Sequence, residues 1–296
     1  MVLKAIVSSR EAYFRLLQLL LVFGLGLVHA GQAWAELTTI KLPLSGGHEL
    51  EVLIHTPAQA EQPLPTVVIF GGLEAGAGVL NVVAGQAPVV AASFAYPYQP
   101  PAKLGWGNAL GAVDDFGQGV DRTFDGIAQL MALLRSRADV DPRRITLVGA
   151  SAGAPFASIS AARLNVPGLV VVQGFGDVPS VLARQGELAL RKRERELWIP
   201  LLKPVARLLS WWLELPAPER YAPQLRTGQR VLMITAQDDE RVPAAAADLL
   251  WDGFQASGAQ ATRLDLPGAH LRGLGDPTIN EILVHALRWM QAQDLL

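Results

Sequence analysis

Residues 144–153 read Arg-Ile-Thr-Leu-Val-Gly-Ala-Ser-Ala-Gly, a short apolar strand running straight into a Gly-x-Ser-x-Gly pentapeptide. No other segment restricts the fold as much. A nucleophile elbow needs a strand, a sharp turn and a helix, with the serine at the tip of the turn. Here the strand precedes Gly149, and Ala152 to Leu164 can continue as a helix. Gly149 and Gly153 leave room where the turn backbone is strained and the helix packs back on the strand, and Ala150 and Ala152 add little bulk. The pentapeptide alone is weak in a chain with 28 glycines. Its placement makes Ser151 the candidate nucleophile.

A serine hydroxyl is a poor nucleophile until an imidazole takes its proton, and the imidazole needs a carboxylate to orient it. Arg230 to Thr235 is a second apolar run, followed by Ala-Gln-Asp238-Asp239-Glu-Arg-Val-Pro243. A carboxylate on a loop past a strand, ahead of a helix starting near Pro243, is placed for that task. Both Asp238 and Asp239 occupy the loop. Thr262 to Leu266 then alternates like a strand and leads through Pro267-Gly268 to His270. Elimination favours this histidine among the five. His29 falls in a leader-like segment, His48 and His55 flank an early strand, and His285 sits inside a C-terminal amphipathic helix (Asn280 to Gln291).

The surrounding pattern is alternating β and α. Leu37 to Leu42 and Leu50 to Thr56 read as an antiparallel pair around Ser45-Gly46-Gly47. Thr66 to Phe70 and Val89 to Phe94 are apolar throughout, as strands buried on both faces should be. Arg122 to Arg137 reads as a helix, with Asp139 to Pro142 connecting it to the elbow strand, and Leu169 to Gln173 continues the sheet. The fold class is therefore α/β, with a mostly parallel, doubly wound sheet and candidate residues at strand carboxyl ends.

From about residue 37 to the C-terminus the chain resembles the α/β-hydrolase superfamily. The carrying residues are Gly149 to Gly153, Asp239 to Pro243, His270 and the Phe70-Gly71-Gly72 loop. The approach from Asp141 to Gly153 is similar to that in esterases and dienelactone-hydrolase-like enzymes. The resemblance implies the chain order Ser, Asp, His and no cofactor. The Asp-x-x-Val-Pro pattern points to Asp239 as the acid, with Asp238 and Asp177, one strand earlier, as alternatives. It further implies an oxyanion hole from the backbone N–H of Ala152 and of Leu73 or Gly72. Phe70 departs from the His-Gly opening of many such loops.

The N-terminus carries a separate message. Lys4, Arg10 and Arg15 precede an apolar stretch from Leu16 to Val28, and Ala33-Trp34-Ala35 has small-x-small character. This is the layout of a secretory signal peptide over residues 1–35, with an uncleaved anchor as the alternative, and a stretch of thirteen residues is short for a bilayer span. The expected hydrolase domain is then 36–296, and the expected location periplasmic or secreted. The chain has no cysteine, which excludes disulfides, a thiolate nucleophile and cysteine-held metals. Without the leader the formal charge falls from −2 to −4, an argument against a nucleic-acid partner. The acid pairs Asp114-Asp115 and Asp121/Asp125 lack companion metal ligands and read as an acid-rich helix N-terminus.

Two insertions interrupt the pattern. Residues 178–223 are too long for a bare loop and read as a helical lid. They contain Arg191-Lys192-Arg193-Glu194-Arg195-Glu196 and three tryptophans. Either the basic stretch and tryptophans touch anionic lipid, or a salt-bridged helix face precedes an apolar packing face. Tyr96 to Gly107, rich in proline and glycine, either lines a pocket or covers the sheet edge. The expected activity is an exported serine hydrolase acting on a small-molecule acyl substrate, an ester first. A peptidase, thioesterase or acyltransferase, or a non-catalytic envelope binding protein, are the alternatives.

Overall fold

The apolar runs become eight strands of one sheet: β1 (Glu36–Pro43), β2 (Glu49–Thr56), β3 (Leu64–Phe70), β4 (Val90–Phe94), β5 (Val140–Ala150), β6 (Gly168–Val172), β7 (Arg230–Ala236) and β8 (Gln260–Leu266). The computed structural model describes residues 36–58, 62–72, 76–83, 85–98 and 109–296. The leader expected at 1–35, Leu73 and most of the loop 96–107 lie outside these residues. The strand order is β1-β2-β4-β3-β5-β6-β7-β8. β2 runs antiparallel to both β1 and β4, and every other pairing is parallel. Burial follows position in the sheet. All residues of β4 and β6 are buried, whereas β2, near the edge, alternates.

Successive side chains of a strand point to opposite faces, so the sheet supports two cores. One face holds Val68, Leu147, Leu169, Val171 and Met233 beneath α1 (Ala109–Ser136), α2 (Ala154–Leu164) and α5, the fifth long helix (Ala244–Gln255). Between α2 and α5 in the chain lie α3 (Val178–Lys192) and α4 (Ile199–Trp212), which pack on each other. The other face carries Val67, Ile69, Val170, Val172 and Leu232 under α6 (Ile279–Ala292). Its cover is thin. In the described part of the β3–β4 crossover, only a 3-10 turn (Gly76–Val79) and one helical turn (Leu80–Val83) lie over it.

Two expectations need correction. The helix read from Arg122 begins thirteen residues earlier, at Ala109. Within the added turns, Gly117 and Gly119 are contact points. A Cβ on Gly119 would lie 2.5 Å from the Tyr98 side chain, and one on Gly117 would lie 3.0 Å from Leu213. The acid pairs consequently sit inside α1, whose first turn holds no acid. Asp125 instead accepts the Ser45 N–H at 2.8 Å, tying α1 to the β1–β2 turn. The second correction concerns Asp139 to Pro142. Strand β5 already starts at Val140, paired with Leu64, and a register shift between Leu64 and Thr66 accommodates the Asp-Pro step.

Candidate active site

Strand β5 ends at Ala150 and the chain turns sharply through Ser151, whose φ of 51° places it in the left-handed region. A non-glycine residue held there stores strain, of order 1–3 kcal/mol, that the surroundings must over-determine. They do so through contact. A Cβ on Gly153 would fall 2.1 Å from the Phe70 carbonyl oxygen, and one on Gly149 would fall 2.6 Å from both the Ala157 side chain and the Gly153 carbonyl. Only hydrogen fits at either position, so α2 can start directly above β5 and β3.

The turn aims the Ser151 hydroxyl at His270, Oγ to Nε2 2.9 Å. On the far side of the ring, Nδ1 lies 2.8 Å from Oδ2 of Asp239. The remaining oxygen of that carboxylate, Oδ1, accepts the backbone N–H groups of Arg241 and Val242, both at 2.9 Å. The loop after β7 thus fixes the acid, and the loop after β8 fixes the imidazole, which is 3% exposed. The structure brings together Ser151, Asp239 and His270, which follow the carboxyl ends of β5, β7 and β8, with β6 between the first two.

The alternative acids lie elsewhere. Asp238 is exposed, and its backbone N–H donates to the Gly268 carbonyl at 2.9 Å. Asp177 caps the N-terminus of α3, accepting from the Ser180 N–H at 3.4 Å and from the Ser180 hydroxyl. Of the expected oxyanion donors, Ala152 and Gly72 line the cavity beside Ser151. Tyr96, buried and facing the same loop, donates its hydroxyl to the Gly71 carbonyl at 2.6 Å and so steadies the turn after β3. Burial pushes that phenol above its usual range, so it stays a donor. Tyr98 packs edge-on against Phe116.

Sequence reasoning missed two residues behind the histidine. Gln173, buried at the end of β6 with φ of 50°, brackets His270 through its backbone neighbours. Its Oε1 accepts the Leu271 N–H at 2.8 Å, and its Nε2 donates to the Ala269 carbonyl at 3.3 Å. Glu240 accepts the N–H of His270 itself at 3.3 Å. Its own backbone N–H, then that of His270, hold the Glu240 carboxyl below the ordinary range against the cost of burial. A polar residue closing an all-apolar strand was the one available signal for Gln173.

From Ser151 a cavity of about 420 Å³ opens into the molecule. Polar groups are concentrated where it meets Ser151, His270 and the rim residues Gln185, Arg241 and Arg272. Val181 and Leu182 of α3 form part of the wall. Among the described residues, no group of three or more His, Cys, Asp or Glu is arranged to hold a metal ion.

Solved structures similar to this one share the architecture at low identity. An acetyl xylan esterase from a Thermoanaerobacterium species superposes with a TM-score of 0.60 at 18% identity, covering 89% of this chain and 84% of the esterase. The chain has the α/β-hydrolase fold. A cold-adapted esterase from an Arctic intertidal metagenomic library gives a TM-score of 0.55 at 14% identity, over 87% of this chain and 93% of the other. An acylaminoacyl peptidase from Pyrococcus horikoshii gives 0.62 at 15% identity, over 91% of this chain and 43% of the peptidase. No family model matches the sequence, and no curated protein matches it. The α/β-hydrolase scaffold serves many chemistries, so the reaction has to be argued from the site.

Proposed function

We propose that the protein is a serine hydrolase that cleaves a carboxylic ester through an acyl-Ser151 intermediate. The carrying observation is the continuous relay from Oγ of Ser151 through both nitrogens of His270 to an Asp239 carboxylate pinned by two backbone N–H groups. His270 takes the Ser151 proton as Oγ attacks the acyl carbon, then gives it to the departing alkoxide as the C–O bond breaks. Water repeats the sequence and releases the acid. Asp239 holds the ring tautomer and stabilises the imidazolium. The N–H of Ala152, with a second donor from the Gly71-Gly72 turn, meets the negative charge on the carbonyl oxygen. The esterases among the similar structures support this choice within the fold.

The setting belongs to the same proposal. The leader-like residues 1–35 support export. The outward face of α4 supports contact with a lipid surface, because its tryptophans and leucines lie in solvent beside a basic segment.

A fluorophosphonate probe tests the reaction. The purified chain should form an adduct that mass spectrometry maps to Ser151. Ser151→Ala and His270→Ala should lose the adduct, with ester turnover reduced about ten-thousandfold or more. A folded wild type that neither labels nor hydrolyses esters would leave the binding-protein reading in its place.

A further inference from the structure

The cavity that begins at Ser151 does not stop at the loops above the sheet. It runs down between the sheet and α6. Its floor is made by alternate residues of three adjacent parallel strands: Val67 and Ile69 of β3, Val148 of β5, and Val170 and Val172 of β6. Its roof is the inner face of α6, with Ile282, Leu283, Ala286 and Met290. Helix α6 starts beside the His270 loop and runs toward the far edge of the sheet. At that edge its C-terminal neighbour Leu295 lies against Gly168, the first residue of β6. Ile279 and Met290 both line the space, and about 16 Å of helix separates them. The chamber is long, and among the described residues no polar side chain lines it beyond the mouth.

Between β3 and β4, only the turns at Gly76–Val79 and Leu80–Val83 are described over this face, and Val79, Val82 and Val83 line the cavity from above. Protein interiors are normally close-packed, and a space this large lined by valine and leucine suits an apolar guest rather than ordered water.

We infer that the chamber beneath α6 receives the acyl chain of the substrate, so that the esters cleaved at Ser151 carry medium to long aliphatic acids. The inference rests on the hydrolase reading above and adds the substrate class. One end of the chamber reaches Ser151 Oγ, where the acyl carbon must sit, and because the alcohol has to depart before water attacks, the deep end is taken by the part that stays on Ser151, the acyl chain. At about 30 Å³ for a group the size of a water molecule, the volume accepts on the order of a dozen methylenes. In the acyl-enzyme the chain lies along α6, the ester carbonyl faces Ala152, and the alcohol leaves toward Arg241 and Arg272 at the rim.

The test is a p-nitrophenyl ester series from acetate to palmitate on the wild-type chain and on Ala286→Phe, whose ring would block the roof. For the wild type, kcat/KM should rise about fourfold per methylene until the chamber is full. Ala286→Phe should move the optimum to shorter acids, lowering palmitate hydrolysis about tenfold or more beyond any change on acetate. A wild-type profile that is flat or highest on acetate, with the Ser151 adduct still forming, overturns the chamber and leaves the hydrolase reading standing. Binding gives a second, turnover-independent arm. By isothermal titration calorimetry, Ser151→Ala should bind laurate saturably, and adding Ala286→Phe should weaken this about tenfold or more. Saturable binding without any Ser151 adduct supports the chamber while removing the hydrolase reading. Absence of binding by folded Ser151→Ala overturns the chamber.

Discussion

The imidazole of His270 is useful only if its two nitrogens point at Ser151 and Asp239 together, and the Gln173 amide appears nowhere in that relay while bracketing the backbone on both sides of it. An amide can accept from Leu271 N–H and donate to the Ala269 carbonyl at once; a carboxylate can only accept. Gln173→Glu therefore keeps one contact and sets an anion against a carbonyl oxygen in the other. We expect kcat to fall roughly ten- to a hundredfold with KM within about twofold, because the ring is displaced and the binding cavity is not. Fluorophosphonate labelling should slow in proportion. A folded Gln173→Glu enzyme with unchanged kcat would show that the bracket does not position the ring. Residues like this are hard to read from sequence because their role lies between segments 98 positions apart. Ser151 was legible because its constraint is local: two glycines and a strand within ten residues. For the acid loop, local chemistry admitted both Asp238 and Asp239, the Asp-x-x-Val-Pro resemblance favoured Asp239, and the turn at Arg241–Val242 sets that carboxylate beside the ring.

At the scale of elements, the segment 178–223 shows the salt-bridged face of one reading, and the lipid contact of the other is a proposal. The charged part is salt-bridged: Glu187 pairs with Arg184 and Arg191, and Arg191 also meets Glu196. The apolar part is divided. Leu202 packs on Gly186 of α3 and Ala206 is buried, but Leu197, Leu208 and Trp211 are 87%, 61% and 76% exposed. Between Arg191 and Arg207 the chain carries six basic and two acidic side chains. The length of the segment announced helices there. It could not say that α3 would claim only one side of the stripe, since that depends on how two helices meet. Exposed tryptophan beside excess positive charge fits an anionic lipid surface. The wild-type chain should co-sediment with vesicles of phosphatidylglycerol and phosphatidylcholine, less so as salt screens the charge. Trp211→Glu should cut the bound fraction about tenfold while p-nitrophenyl butyrate hydrolysis in solution stays unchanged. Equal binding by the variant, or none by the wild type, would discard the lipid surface.

For the whole molecule, alternation of strand and helix was enough to place the sheet, because strands buried on both faces must be apolar and their connections must cross the sheet. Less legible was the unequal cover of the two faces, since Gly76 to Val83 gives little periodic signal and the cavity under α6 follows from what that segment fails to fill. The far edge of the molecule, away from Ser151, is joined by charge as well as packing. Arg137, just past α1, donates to both oxygens of Asp139 at 2.9 and 2.6 Å and to the Thr56 hydroxyl at the end of β2 at 3.2 Å. The Asp139 carbonyl accepts the N–H of Leu64, where β3 begins. The Arg137 hydrogen bonds hold the Asp139 carboxyl below its ordinary range, with burial opposing them. A depressed folded value gives a definite sign: the contribution is complete above the unfolded value of about 3.9 and fades as pH falls through the folded one. Both side chains remain partly exposed, so solvent screening limits the contribution to about 1 kcal/mol. Asp139→Asn should lower the unfolding free energy from urea denaturation at neutral pH by that amount, and the two denaturation curves should converge as the pH is taken below about 4. Curves that stay parallel into acid would mean that the Asp139 charge contributes nothing to joining α1, β2 and β3.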